Sequence, residues 1–331
     1  MIILIGEHRL VVERRKVRYE ITIRHKLNII QGDSGTGKTY MSKMIFESTS
    51  LGQYANISIR CDLKVYAVTS LETMRNAIND GYQLLVIDET YFRPMTMGDS
   101  GESVARLIKD KPVYCIFITR DAGYTSLPVD VDACYTLQYT TKGSKVIVTN
   151  EQLYDWRNEG VIKPSIVYTE DTRVGHSFFK RTLPDSKVLG VWGTGNLKKL
   201  LMHKLEYDIS GNDAVIIIAD GCAFGMVMPY YVLLKNKLRD LGIDIRLYIP
   251  PSFEYMILDS GIIPKVDKSR LQNAFMYAKI EKYMSFEKYY EDYLYSITNG
   301  KLGKNSTALL RFILVKRNTD KIYAYIGEIE R

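Results

Sequence analysis

The sequence predicts an α/β protein made of two domains, residues 1–150 and 186–331, joined by a linker at 151–185. The 331 residues are long for a single hydrophobic core. In each half, apolar strand-like segments alternate with segments of helical periodicity, which indicates open, mostly parallel sheets. Between Asn150 and Ser186 this alternation stops, and the polar run 170–176 has no period. We therefore expect the domain boundary there.

Composition narrows the class of protein. A hydrophobic fraction of 46% and a charged fraction of 25% are ordinary for a folded protein, and the net charge of +7 permits a nucleic-acid partner without requiring one. The longest apolar run, Ala214–Ala219, is too short to cross a bilayer, and the first residues lack a signal peptide's basic opening. We expect a cytoplasmic protein with no membrane partner. The four cysteines and four histidines are scattered, so no zinc-type spacing is present.

The elements of the first half follow from its patterns. Strands are predicted where β-branched residues cluster between charged turns, at Ile2–Ile5, Leu10–Glu13, Val17–Arg24, Leu27–Gln31, Ile57–Asp62, Val65–Val68, Leu84–Ile87 and Val113–Thr119. Apolar residues at helical spacing predict helices at Thr39–Ser48 and Ser103–Lys109, and a capping-box pattern opens one that ends near Asn79. A polar loop is expected over Arg93–Glu102. The early strands are expected to be antiparallel, ahead of the mostly parallel part.

The second half alternates in the same way. Strands are predicted at Val188–Trp192, Ala214–Ala219 and Asp244–Ile249, and helices at Asn196–Leu205 and Met228–Leu241. A tyrosine-rich helix follows Lys268. The type of the last two apolar segments, Ala308–Val315 and Ile322–Ile326, stays open.

A glycine-rich loop lies between the predicted strand Leu27–Gln31 and the helix after it. It matches the pattern Gly-x-x-x-x-Gly-Lys-[Ser/Thr], and the residues expected to bind a nucleotide are Gly32, Asp33, Ser34, Gly35, Thr36, Gly37, Lys38, Thr39 and Tyr40. Such a loop points backbone N–H groups at a phosphate, and the helix N-terminus adds its positive end. Lys38 is expected to reach the β- and γ-phosphates, and the Thr39 hydroxyl to coordinate Mg²⁺.

Two acids, Asp88 and Glu89, follow the apolar strand Leu84–Ile87. With the loop, they resemble the Walker A and Walker B motifs of P-loop NTPases, in the branch that has an additional core strand. The resemblance implies that Asp88 holds Mg²⁺ and that Glu89 activates the attacking water. It also implies a γ-phosphate sensor at the end of a further strand, for which Thr119 fits better than Arg120, although a polar strand end with no role is the alternative. The additional strand, which in that branch lies between the P-loop and Walker B strands, is expected to be Val65–Val68.

The resemblance covers about residues 1–150 and leaves several properties open. The early strands resemble the antiparallel region of ABC-type ATPases, but no Leu-Ser-Gly-Gly signature occurs. No Asn-Lys-x-Asp motif is present, which favours ATP over GTP. No arginine finger is identified, so a protein partner or a second copy of the chain is expected to be able to complete the site.

Residues 186–265 resemble the Toprim fold of primases, topoisomerases and overcoming-lysogenization-defect nucleases. The similar segments are 189–196, 216–222 and 249–254. A working Toprim site implies a Glu after the first strand and an Asp-x-Asp after a later one. Gly193 and Thr194 stand in the first place and Cys222 in the last, which leaves Asp220, with Glu254 after the following strand, as candidate ligands of a second site. A generic α/β domain, in which these acids only cap strands or helices, is the alternative.

Three functions are compatible with these motifs. The first is an Mg²⁺-dependent ATPase that drives an action of the second domain, on nucleic acid in phage defence or in a mobile element. The second is a nucleotide-gated binding module with negligible hydrolysis. The third is a metal-dependent nuclease of the Toprim type.

Overall fold

The computed structural model describes residues 4–33, 35–90, 100–120, 127–156, 160–203, 209–210 and 213–331, with the side chains of 100–102 excepted. Two compact units divide the chain. The first comprises the residues up to Tyr154 together with Phe275–Ser285, and the second comprises Asp155–Ala274 and Phe286–Arg331. The chain is an α/β protein, as predicted. Each unit contains one sheet.

A mixed sheet of nine strands forms the first unit. Its strands are β1 (His8–Arg14), β2 (Val17–Ile23), β3 (Leu27–Gln31), β4 (Ser58–Arg60), β5 (Val65–Val68), β6 (Leu84–Asp88), β7 (Tyr114–Thr119), β8 (Cys134–Lys142) and β9 (Lys145–Gln152). Its α-helices are α1 (Lys38–Leu51), α2 (Leu71–Asn79) and α3 (Ser100–Ile108). The spatial order is β4-β1-β2-β9-β8-β3-β7-β6-β5. Antiparallel pairs lie in the β4-β1-β2 and β9-β8 portions, and β3, β7, β6 and β5 run parallel.

The parallel strands are mostly apolar, as expected for strands covered on both faces. β6 and β7 are buried at every position. On one face α1 contributes Met41, Met44 and Ile45, none of which is exposed to solvent. α2 begins at the Ser70 cap, whose side chain and that of Thr73 satisfy each other's backbone N–H groups. This packing fixes the carboxyl ends of the parallel strands at one edge of the sheet.

The expected position of the additional strand was wrong. Val65–Val68 is a strand, but it is the outermost one and pairs only with β6. The strand between β3 and β6 is β7, which pairs with both. Which strands become neighbours in a sheet depends on the surfaces that they bury and on their hydrogen bonding. The order of the strands along the chain therefore did not reveal that β7 lies between β3 and β6.

Other differences in the first unit concern local structure. The expected strand Ile2–Ile5 does not form over its described part, where Leu4 is buried and accepts a hydrogen bond from the Ile280 N–H at 3.4 Å. The β8–β9 hairpin, closed by the two-residue turn Gly143-Ser144, was not predicted. The expected loop Arg93–Glu102 lies mostly outside the described residues, apart from the start of α3.

The second unit contains a parallel sheet of four strands in the order β11-β10-β12-β13. The strands are β10 (Ile166–Thr169), β11 (Lys187–Gly190), β12 (Ala214–Ile218) and β13 (Asp244–Tyr248). The helices are α4 (Val174–Thr182), α5 (Thr194–His203), α6 (Gly221–Phe224), α7 (Met228–Asp240), α8 (Phe253–Asp259), α9 (Lys268–Gln272), α10 (Phe286–Ile297), α11 (Thr307–Ile313) and α12 (Lys316–Ile326). The sequence left open the type of two C-terminal segments, Ala308–Val315 and Ile322–Ile326, and they lie largely in the helices α11 and α12.

The segment 151–185 is not simply a linker. It contains β10, which is paired on both sides in the sheet, and α4, which buries Phe178 and Phe179. The four-residue strand is too short to show a period, and the polar run that follows it hid the start of the helix. In the part of the chain that the structure describes, no helix is both long enough and apolar enough to cross a membrane.

Candidate functional site

The glycine-rich loop lies at the carboxyl end of β3, where α1 begins at Lys38. Gly37 precedes the helix with a φ of 66°, in the left-handed region, and its carbonyl accepts the Met41 N–H at 3.2 Å. A side chain at this position would be strained, which explains the glycine. A cavity of about 310 Å³ opens beside the loop. Its lining includes every described residue of 33–40. Ser34 lies outside the described residues.

The Lys38 ammonium group is held by the loop itself. It donates hydrogen bonds to Gly32 O at 2.5 Å, Asp33 O at 2.8 Å and Thr36 Oγ1 at 2.8 Å. Only 6% of the residue is exposed, and burial lowers its pKa, with nearby Arg120 acting in the same direction. The cation therefore lies in the cavity wall with neutral oxygens as its partners. Phosphate oxygens would be stronger acceptors for it.

Asp88 ends β6 as a buried carboxylate, 1% exposed. Its Oδ1 accepts the Thr90 N–H at 2.8 Å, but its Oδ2 has no hydrogen-bond partner among the residues that the structure describes. A buried carboxylate oxygen without a partner is costly unless a cation or a donor joins it. Asp88 and Thr39 line the same cavity, as the predicted magnesium site requires.

Glu89 also lines the cavity, and both of its oxygens are engaged. Oε2 accepts the Thr119 hydroxyl at 2.6 Å, and Oε1 accepts the Arg120 N–H at 2.7 Å. Thr119 is 1% exposed, and it contacts this carboxylate. Because β7 lies next to β6, the end of β7 can hold the acid that follows β6. The three residues predicted as catalytic, Lys38, Glu89 and Thr119, thus all lie at this edge of the sheet.

Two tyrosines that the sequence did not single out hold the loop from the side of the antiparallel strands. The Tyr19 hydroxyl, from β2, donates to Gly37 O at 2.9 Å, and the Tyr139 hydroxyl, from β8, donates to Thr36 O. Burial raises the pKa of Tyr19, so its hydroxyl stays protonated and remains a donor. Tyr40 follows the loop and is 41% exposed at the cavity. No sequence signal marks Tyr19 or Tyr139, because they are distant from the loop along the chain.

A second cavity, of about 390 Å³, lies in the second unit. It brings together Asp220, which follows β12, and Glu254, which opens α8. Asp220 Oδ1 accepts the Phe253 N–H at 2.8 Å, so the acid also fixes the start of that helix. The pKa of Asp220 is raised well above its usual range by burial and by the neighbouring carboxylates, of which Glu170 acts most strongly.

Glu170, an acid that the sequence did not single out, also lines this cavity. In chain order the first strand of this sheet is β10, and not β11 as the sequence predicted. Glu170 comes directly after β10. Glu170 Oε2 accepts the Asp220 N–H at 3.0 Å, and its Oε1 accepts the Thr194 hydroxyl at 2.6 Å. Glu170 lies within the segment 151–185, which the sequence predicted to be a linker. Among the described residues, however, no three His, Cys, Asp or Glu side chains form a group that could hold a metal ion.

Comparisons with protein-family models, with curated proteins and with solved structures give no match to this chain. A function for the protein therefore has to be inferred from its own residues.

Proposed function

We propose that the first unit binds ATP with Mg²⁺ and hydrolyses it. The observation that carries the proposal is the cavity at the carboxyl ends of β3, β7 and β6. It combines a buried lysine in a glycine-rich loop with a buried aspartate that has an unpartnered oxygen and an adjacent glutamate. Each of these groups has a distinct place in phosphoryl transfer, and the strand order puts them at one edge.

The residues present fit a magnesium ion. Asp88 Oδ2 is a buried anionic oxygen in need of a partner, and the Thr39 hydroxyl is a second hard oxygen on the same cavity. Asp88 and Thr39 would hold the ion, directly or through water. When bound, Mg²⁺ supplies positive charge that stabilises the phosphate oxygens as the terminal bond breaks.

The other groups bind the nucleotide and activate water. Lys38 exchanges its three neutral oxygen partners in the loop for phosphate oxygens. Glu89 exchanges its bonds to Thr119 and Arg120 for a water molecule and accepts that water's proton. The water oxygen then forms a bond to the γ-phosphorus as the bond to the β-phosphate oxygen breaks, which releases ADP and phosphate.

Steady release of phosphate from MgATP tests this proposal. We expect wild-type protein to release phosphate, with or without DNA or RNA. K38A should lose both nucleotide binding and release. Gln53 lies away from the cavity lining, and Q53A serves as a matched surface control that keeps both. Release that proceeds equally in K38A would contradict the proposal.

One observation favours a second candidate, a nucleotide-gated binding module with negligible turnover. Both oxygens of Glu89 are already occupied, by Thr119 and by the Arg120 backbone, so the acid has to leave these donors before it can accept a proton from water. If ATP does not displace it, binding occurs without hydrolysis. Tight MgATP binding with no phosphate release, in wild type and in E89Q alike, would support this candidate.

A further inference from the structure

We propose that the cavity of the second unit binds a small organic amine, with an ammonium group on an apolar or aromatic body and no carboxylate of its own. The cavity, of about 390 Å³, is large enough for a metabolite-sized molecule. Most of its wall is apolar, with Phe179, Tyr248, Phe253 and Met256 among the lining residues. Such a wall accommodates a hydrocarbon body, and its few polar groups determine which head group is accepted.

The polar groups of the cavity are predominantly acidic. Five acids line it against two cations, Arg173 and Lys304; the acids are Glu170, Asp171, Asp220, Glu254 and Glu287. Lys304 forms an ion pair with Glu287 and lies 4.0 Å from a Glu291 oxygen, so it is already paired with acids on α10. Burial and neighbouring carboxylates raise the pKa of Glu170, Asp220 and Glu254, so further negative charge is disfavoured in this cavity, and so are phosphates and other anions. It favours a cation.

Glu254 supplies an observation that does not depend on the charge count. It is 2% exposed, and within the described part of the chain its Oε2 has no hydrogen-bond partner. A carboxylate oxygen buried in this way is stabilised when an N–H donor reaches it through the cavity. An ammonium group provides both the donor and the compensating charge.

The choice between an organic cation and a metal ion follows from the arrangement of the acids. The two oxygens of Glu170 accept hydrogen bonds from the Asp220 N–H and the Thr194 hydroxyl. Asp220 Oδ1 accepts the Phe253 N–H. Within the described ranges no three acidic, histidine or cysteine side chains could share one metal ion. An ammonium group needs only one or two acceptors, and this cavity offers them at Glu254 and Asp220.

Trp192 lies on the cavity lining and provides both a further contact and a reporter. Its side chain is 76% exposed, and its backbone has a φ of 67°, which is unusual for a bulky residue. An exposed indole at the edge of an acidic cavity can cover a cation with its π face. The chain has two tryptophans, so W156F leaves Trp192 as the only indole.

The test is a titration of the full-length W156F protein with phenethylamine, followed by Trp192 fluorescence and by calorimetry. The matched ligand is 2-phenylethanol, which replaces the ammonium by a hydroxyl. We expect saturable binding of the amine and binding of the alcohol that is weaker by about tenfold or more. L-phenylalanine, which adds a carboxylate, should also bind more weakly than phenethylamine.

Two variants separate the electrostatic cause from a structural one. E254Q keeps the shape of the side chain but removes its charge, and it should weaken amine binding by about tenfold or more. K304M removes one of the two lining cations and should leave amine binding as tight or make it tighter, whereas an anion site built on Lys304 would lose its ligand. Circular dichroism and thermal unfolding establish that each variant is folded. K38A should bind the amine like its parent, so loss of the ATP site does not affect this test.

Several results would overturn the proposal. These are no binding of the amine at millimolar concentration, equal binding of 2-phenylethanol, or binding unchanged by E254Q in a folded protein. If Mg²⁺ alone gave a saturable Trp192 signal that E254Q abolished and that displaced the amine, the cavity would be a metal site. If inorganic phosphate bound in the parent and not in K304M, it would be an anion site.

Discussion

Removing the Tyr19 hydroxyl should weaken the nucleotide site more than it weakens the fold. In Y19F the hydrogen bond to Gly37 O, 2.9 Å long, is lost, while the ring keeps its place in the core at 2% exposure. The Gly37 carbonyl still accepts the Met41 N–H, so it is not left without a partner. The cost should therefore stay near 1 kcal/mol, typical of one net hydrogen bond.

The lost hydrogen bond stabilises the loop conformation in which phosphate can bind, so Y19F destabilises that conformation. If the loop is held in this conformation by Tyr19, losing about 1 kcal/mol should weaken MgATP binding roughly fivefold. Calorimetric titration measures the affinity, and urea unfolding measures the stability. Y139F is the matched control, since its hydroxyl also donates to the loop but its side chain is 46% exposed, and we expect an effect within about 0.5 kcal/mol. Equal affinities of Y19F and Y139F would refute this reasoning.

Three further predictions concern other parts of the chain. G37A should weaken MgATP binding by about tenfold or more. A side chain at the left-handed φ of 66° costs about 1–2 kcal/mol, and the new Cβ would lie 2.9 Å from the Tyr19 hydroxyl oxygen. Unchanged affinity would contradict this prediction. Burial lowers the pKa of Lys26 to about 8, below its value in the unfolded chain, so the unfolded state binds the extra proton between these two pKa values. The free energy of unfolding of wild type should therefore rise relative to that of K26M by about 3 kcal/mol as the pH rises from 8 to 10.5. Urea unfolding of both proteins at the two pH values tests this, and a difference independent of pH would refute it. G221A should lower the melting temperature of the protein, since its Cβ would lie 3.1 Å from the backbone oxygens of Ile249 and Pro250. G195A, with open space around its Cβ, should leave the melting temperature unchanged or raise it. Equal shifts in the two variants would contradict this prediction.

The parts of the proposed nucleotide site that the sequence predicted are local along the chain. The strand, loop and helix around Lys38 are contiguous, and so are the strand and the two acids Asp88 and Glu89. Their patterns reflect a backbone that turns sharply at Gly37, where φ is 66°, and a strand that is buried at every position. These constraints act on neighbouring residues, so one sequence is enough to recognise them.

The parts that the sequence missed depend on pairing between distant segments. The place of β7 between β3 and β6 is set by which strands bury each other. Tyr19 and Tyr139 come from antiparallel strands, and their role depends on where those strands pass the loop. Glu170 follows a strand of only four residues, so it looked like part of a polar linker. In each case the deciding contact lies many residues away.

The central claim is that Glu89 makes the nucleotide site of the first unit hydrolytic. The most direct measurement compares phosphate release by wild type and E89Q at MgATP concentrations that saturate both. We predict equal occupancy and a release rate at least about a hundredfold lower in E89Q, as expected for loss of a catalytic base. Equal rates in the two proteins, with ATP bound in both, would contradict the claim.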